Sequence, residues 1–199
     1  MKKGTETKER IKEKALSLFH ERGYNLTSMN DIVAETGVKK GNLYFHYSSK
    51  EELVVEVLRE ALKDYEDFIA SRMKGESSLS DIISMIRAIA EYHIDYGNGC
   101  GCIFGNMALE SSGHNPALSH FIKSVFEGWE HNMSRLINAS SKSGEIKPVE
   151  SAELYARAII SQIEGAVMLS RVYSDFSHLK SITELIISEL KGWSLDNDN

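Results

Sequence analysis

Apolar residues recur along this chain at three- and four-residue intervals, the repeat that gathers one face of an α-helix, and almost nowhere in the alternation of a strand. From about Thr7 to Arg22, Ile11, Ala15, Leu18 and Phe19 form one such stripe, and Gly23 follows as a left-handed stop. Met29-Asn30-Asp31-Ile32-Val33 opens a second, short helix, with Ser28 and Asp31 spaced as a capping box that uses Asp in place of Glu. Gly37 allows a sharp turn after Thr36, and Val38 is the apolar pin of a third short helix from about Lys39 to Tyr44. Ser49 with Glu51 and Glu52 marks the start of a long helix to about Lys74, carrying Leu53, Val57, Leu58, Ala61, Tyr65 and Phe68. Ser80 is placed as the cap of the next helix, with Ile82, Met85, Ile86, Ile89, Tyr92 and His93 on its apolar face and Gly97-Asn98-Gly99 at its end. A short helix spans about Ile103 to Ser112. Asn115-Pro116 joins a capping residue to a proline at the first helical position of a helix reaching about Ser140. Pro148 starts another to about Tyr173, and Leu179 to Lys191 is the last. The expected fold is all-α, with about nine helices.

Composition changes this picture little. Hydrophobic residues make up 42% and charged residues 26% of the 199 positions, as in ordinary globular chains. No apolar run approaches the ~20 residues of a spanning helix. The first residues lack the apolar stretch of a signal peptide, and two cysteines make no disulfide framework, so a cytoplasmic protein without a membrane partner is expected. Charge changes the picture more. The net charge of −6 argues against a nucleic-acid partner, yet residues 1–50 hold 10 Lys and Arg against 6 Asp and Glu, and the remainder holds 13 against 23. A basic head precedes an acidic body.

The head carries the chemistry that points to DNA. The second helix of a helix-turn-helix enters the major groove, so its exposed residues must meet base edges and phosphates. Lys39 and Lys40 can donate to guanine, Asn42 can pair with an adenine edge, and Tyr44 and His46 can reach phosphate oxygens. Thr27, Ser28 and Lys50 stand at helix starts that can bond phosphates through hydroxyl, ammonium and backbone N–H groups, and Gly41 clears space for a close approach. Each residue taken singly also reads as a solvated face, or, for Tyr44 and Tyr47, as packing. Together, Thr27-Ser28-Met29-Asn30-Asp31-Ile32-Val33-Ala34-Glu35-Thr36-Gly37-Val38-Lys39-Lys40-Gly41-Asn42-Leu43-Tyr44-Phe45-His46-Tyr47 and the following Ser48-Ser49-Lys50-Glu51-Glu52-Leu53 closely resemble the N-terminal domain of TetR/AcrR repressors. The resemblance covers about residues 7–55. It implies a three-helix DNA-binding head over residues 1–50, a six-helix ligand-binding and dimerisation body over 51–199, and a homodimer closed by its last two helices. Members of the family usually show Ser-Lys-Gly-Thr where this chain has Lys39-Lys40-Gly41-Asn42, so the operator sequence does not carry over.

The body is expected to hold a small effector that releases a pseudo-palindromic operator. Tyr92, Tyr96, Phe104, Met107, Phe121, Phe126, Trp129 and Met133 form aromatic and methionine stripes that suit either a largely apolar pocket or plain core. Cys100-Gly101-Cys102-Ile103-Phe104-Gly105-Asn106, with Glu110 four residues on, resembles a TetR subgroup whose members respond to small electrophiles or unsaturated acids. The candidate effector residues are Tyr92, Tyr96, Cys102, Phe104, Asn106, Phe126, Trp129 and Met133. Cys102 near His93 or His114 is open to three readings: a core thiol, an electrophile- or redox-sensing thiol, or half of a metal site. Leu154, Ala158, Ile159, Gln162, Gly165, Ala166, Leu169 and Tyr173 form one stripe, and Leu179, Ile182, Leu185, Ile186 and Leu190 another, suited either to packing within the chain or to a symmetric interface; Leu154, Ala158, Gln162, Gly165, Ala166, Leu169, Ile182 and Ile186 are the candidate dimer contacts. No Ser-His-Asp set, metal motif or phosphate loop is found, so neither an enzyme nor a cofactor is expected, a small thiol enzyme being the rival from another class.

Overall fold

The computed structural model describes residues 4–97, 99–111 and 115–195 in full, and the backbone of residues 2 and 3. Among them are nine helices: α1 (Lys2–Arg22), α2 (Met29–Thr36), α3 (Lys40–His46), α4 (Lys50–Ala70), α5 (Ser78–Asp95), α6 (Ile103–Ser111), α7 (Pro116–Lys142), α8 (Ala152–Tyr173) and α9 (Ser177–Gly192). The described extended pairing is limited to an isolated antiparallel bridge between Ile146 and Ser194.

Most helix ends follow their local signals. Ser28 caps α2 and accepts from the Asp31 amide at 3.2 Å while Asp31 accepts from the Ser28 amide at 2.7 Å, the reciprocal box that the spacing implied. Gly37 closes α2 at φ 66°, its amide bonding Val33 O at 3.0 Å. Asn115 caps α7 by accepting from the Leu118 amide at 3.0 Å. Other ends differ. α1 starts five residues before Thr7, where the sequence is polar and gives no periodicity. α4 stops at Ala70 instead of Lys74, its last turn tightening so that Arg72 N reaches Ile69 O. The cap of α5 is Ser77, which accepts from the Ser80 amide, and α8 starts at Ala152 behind the cap Ser151, with Pro148 ahead of the helix. Asn98, Ser112 and His114 of the sequence expectations lie outside the described residues.

The helices pack as two compact units: Met1–Asp64 with Ile103–Val125, and Tyr65–Cys102 with Phe126–Asn199. The expected domains, 1–50 and 51–199, divide the chain by motif; contacts group α6 with α1 to α3. In the first unit Ile11, Ala15 and Phe19 of α1, Ile32 of α2, Leu43 of α3, and Leu53, Val54 and Leu58 of α4 are completely buried, as is Tyr47 just after α3. Each aliphatic side chain of this size contributes roughly 1.5–3 kcal/mol by leaving water. The second unit buries Ile82, Ile86, Ile159, Ile163, Leu179, Ile186, Ile187 and Leu190, and its densest contacts join α8 to α9 and α5 to α9.

A polar knot inside the first unit fixes the turn between α1 and α2. The Tyr24 hydroxyl donates to Glu51 at 2.6 Å and accepts from Asn115 Nδ2 at 3.0 Å. Lys50 donates to Tyr24 O at 2.9 Å with its ammonium 4.0 Å from the centre of the Tyr24 ring. Glu110 of α6 accepts from the Asn25 amide at 2.8 Å, and it lies so close to Gly23, at φ 83°, that a Cβ there would overlap its carboxylate. Burial first, then the bond to Glu51, pushes the Tyr24 phenol up to about 12. A folded-state value above the unfolded 10.0 gives stability that is complete below pH 10 and lost as pH rises toward 12. Denaturant titrations across that window are therefore expected to fall less steeply for Tyr24→Phe than for the parent; equal slopes would show that the phenol is not held in this way.

Candidate nucleic-acid interface

α3 is seated by two side chains and exposes the rest. Leu43 and Tyr47 are completely buried, and the Tyr47 hydroxyl donates to Glu56 at 3.2 Å. Burial and the nearby Glu56 carboxylate hold the Tyr47 phenol well above its ordinary range. With these anchors inward, Lys39, Lys40, Gly41, Asn42, Tyr44 and Phe45 are exposed and His46 is half-exposed. Lys39 and Lys40 take part in none of the described ion pairs, whereas Lys8, Lys12 and Lys14 of α1 are each paired with a glutamate. The positive charge left unneutralised on α3 is thus concentrated in its first turn. Lys40 Nζ stands 5.9 Å from the Tyr44 ring centre, so cation and phenol share one face.

Two of the expected phosphate contacts change. The Thr27 side chain is buried, its hydroxyl donating to Gly23 O at 2.8 Å and reaching Leu18 O at 3.3 Å, so it fastens the turn inside the unit. The Lys50 ammonium is held on Tyr24, as above, and is half-buried. Ser28 stays exposed but shares its hydroxyl with Asp31. One residue escaped the sequence reading: Phe45 is 84% exposed, edge-on to the His46 ring at 5.3 Å. An apolar ring left in water on the outer face of a short helix was legible as a break in the pattern, since the buried positions there are Leu43 and Tyr47.

The second unit contains a cavity of about 310 Å³. Its walls include Tyr65 and Ile69 of α4, Met85 and Ile89 of α5, Trp129 and Met133 of α7, and Ile160, Ile163 and Glu164 of α8. Of the eight candidate effector residues, Trp129 and Met133 line it. Tyr92 packs edge-on against Tyr65 at 4.8 Å and Phe126 against Trp129 at 5.1 Å, one layer behind the wall. Tyr96 is mostly exposed, beside Phe68 and Tyr92. Phe104 and Asn106 are on α6 and belong to the first unit, because the Cys-Gly-Cys segment turns the chain into the helix whose Glu110 grips Asn25. Cys102 is buried and its thiol bonds the Glu164 side chain. Burial keeps the thiol from solution, which disfavours the electrophile-sensing reading. Among the described residues no group of three or more His, Cys, Asp or Glu is placed to hold a metal ion, and His114 lies outside them.

Of the candidate dimer residues, Leu154, Ala158 and Leu169 are exposed and Gln162, Gly165 and Ile182 are half-buried. Ala166 and Ile186 are corrected: they are buried within the protomer, where α8 packs on α9. The exposed stripe continues through Met168, Val172 and Tyr173 of α8 and Leu185 of α9; of these, Met168 and Val172 were not on the stripes read from the sequence.

Residues 11–57 match the family described as bacterial regulatory proteins, tetR family, and residues 78–185 match the C-terminal domain described as that of LmrA/YxaF-like transcriptional regulators. The chain belongs to the TetR family. The HTH-type transcriptional regulator YxaF of Bacillus subtilis (strain 168) is 31% identical over 91% of this chain and 93% of its own length. The HTH-type transcriptional repressor DhaR of Mycobacterium sp. (strain GP1) is 26% identical over 94% and 93%. A TetR transcriptional regulator from Chloroflexus aurantiacus superposes with a TM-score of 0.90 at 31% identity, over 98% of both chains. As a member of this family of regulators, the chain is a DNA-binding transcriptional regulator and not an enzyme. Among the described residues, no helix is long and apolar enough to cross a membrane.

Proposed function

We propose that this TetR-family regulator is a cytoplasmic homodimeric repressor that reads a pseudo-palindromic operator through α3 and leaves it when a small effector occupies the cavity. The observation that carries the reading is the outward face of α3: two lysines in no described ion pair, an amide and two aromatic rings, presented on the buried seat of Leu43 and Tyr47. Lys39, Lys40 and Asn42 read bases; Tyr44, His46 and the exposed cap Ser28 hold phosphates and set register. Phe45 joins them as an apolar contact for thymine methyls or sugars, and Gly41, where an added Cβ would meet nothing within the chain, admits the close approach. Thr27 and Lys50 act on this face indirectly, by fixing the turn before α2. The exposed apolar stripe of α8 and α9 supplies the twofold contact, which supports the reading because paired half-sites require paired recognition helices.

Fluorescence anisotropy on an operator selected from random duplexes tests this. Lys40→Ala and Tyr44→Ala are each expected to weaken binding by roughly 1–3 kcal/mol; Lys40→Ala, which removes a cation and a base contact, also lowers the salt slope by about one and relaxes sequence preference, whereas Tyr44→Ala removes an uncharged phosphate contact and leaves the slope unchanged. Unchanged affinity in both variants would mean that α3 does not face the DNA.

A further inference from the structure

The cavity of the second unit combines an apolar wall with charged groups. Its wall is apolar and aromatic over most of its extent, with Tyr65, Trp129 and three methionines, Met73, Met85 and Met133. Into this wall the chain places two carboxyl groups, Glu66 and Glu164, and one guanidinium, Arg135. None of the three enters a described ion pair; Glu66 and Arg135 are exposed and Glu164 is half-buried. Glu164 has one described partner, the thiol of Cys102. A carboxyl group removed from water without a cation is costly to keep ionised, and proteins ordinarily supply a counter-charge. Desolvation pushes the Glu164 carboxyl up, with the Cys102 bond acting the other way.

Resting on the effector reading above, we propose that the cavity takes a monovalent organic cation with an aromatic or branched apolar body, its charged head against Glu164 and its body between Tyr65, Trp129 and the methionines. The head receives the counter-charge that Glu164 lacks and is attracted by the ring faces. The methionines, unbranched and polarisable, adapt to the body without a fixed shape. The volume of about 310 Å³ suits a small drug-sized molecule. An anion would meet the Glu164 carboxyl, while the exposed Glu66 and Arg135 offset one another. A neutral apolar molecule would displace water from Glu164 and give nothing in return.

Isothermal titration of the full chain without DNA distinguishes these ligands, using benzyltrimethylammonium, its uncharged carbon isostere neopentylbenzene, and the anion 4-phenylbutanoate. The cation is expected to bind at least about tenfold more tightly than the other two, a ratio set by its Coulomb attraction to one carboxylate and by cation–π contact with the rings. Glu164→Gln is expected to abolish that preference while the circular dichroism spectrum stays native. Equal or tighter binding of the isostere or the anion, absence of cation binding at millimolar concentration, or a cation preference that survives in a folded Glu164→Gln would each overturn the proposal. The comparison within the parent protein decides the matter even if the variant fails to fold. A second arm adds the cation to the operator complex. Selective binding without release of DNA would leave the cavity chemistry standing and sink the effector reading, whereas release without charge preference would do the reverse.

Discussion

A Leu169→Glu, Val172→Glu double variant is expected to be monomeric at micromolar concentration and to bind the selected operator about 100-fold more weakly or worse, the scale on which linking two binding modules acts. Both side chains are exposed in the protomer, Val172 at 68%, so the substitutions disturb little of the fold. At a twofold contact each charge would be buried close to its own symmetry copy, where desolvation and like-charge repulsion add. The loss of affinity follows from geometry, since one α3 occupies one half-site and the second half-site contributes only when a partner presents its own helix in register. Sedimentation equilibrium measures the first effect and fluorescence anisotropy the second. A double variant that remained dimeric would place the twofold contact elsewhere; one that became monomeric yet kept its affinity would show that pairing is not needed for DNA binding. Ala166 and Ile186 are unsuitable for this test, because they are buried within the protomer and a charge there would unfold it.

Tyr47→Ala is expected to destabilise the first unit by about 3–5 kcal/mol, the range for removing a large buried aromatic side chain. Tyr47 is fully buried immediately after α3, and its hydroxyl bonds Glu56 on α4. Its removal would leave a cavity under the recognition helix and take away a link between α3 and α4. Urea unfolding followed by circular dichroism should show the loss, with operator affinity falling in step as the seat of α3 loosens. Tyr47→Phe keeps the ring and should lose only about 1 kcal/mol, the usual net worth of one hydrogen bond. If Tyr47→Ala unfolded at the parental denaturant concentration, α3 would have to be anchored by Leu43 alone.

These predictions draw on different layers of information. The seat of α3 was legible in the chain: Val38 and Leu43 are the apolar residues of an otherwise polar segment, and only the choice between packing and contact for Tyr44 and Tyr47 stayed open. Burial resolved it, with Tyr47 inside and Tyr44 out. The exposed Phe45 was missed because residue type alone suggests that a phenylalanine packs. The cavity was legible only as a region. Trp129 and Met133 line it, but Tyr65, Met85 and Glu164 come from three other helices, and no local pattern indicates which faces of separate helices will meet.

The sequence by itself determined what depends on neighbours a few residues apart: the helices through their 3.6-residue repeat, the Ser28–Asp31 capping box, the left-handed stop at Gly23 and the sharp turn at Gly37, and the basic first turn of α3. Only the tertiary structure decided what depends on partners far along the chain. It turned Thr27 and Lys50 from phosphate ligands into fasteners of the Tyr24 turn, tied Glu110 to Asn25 across 85 positions, and set the Cys102 thiol against Glu164. The physical reason is the same in each case. A hydroxyl, an ammonium or a carboxylate satisfies itself on whichever complementary group folding brings within about 3 Å, and sequence spacing constrains that choice only within a single helical turn.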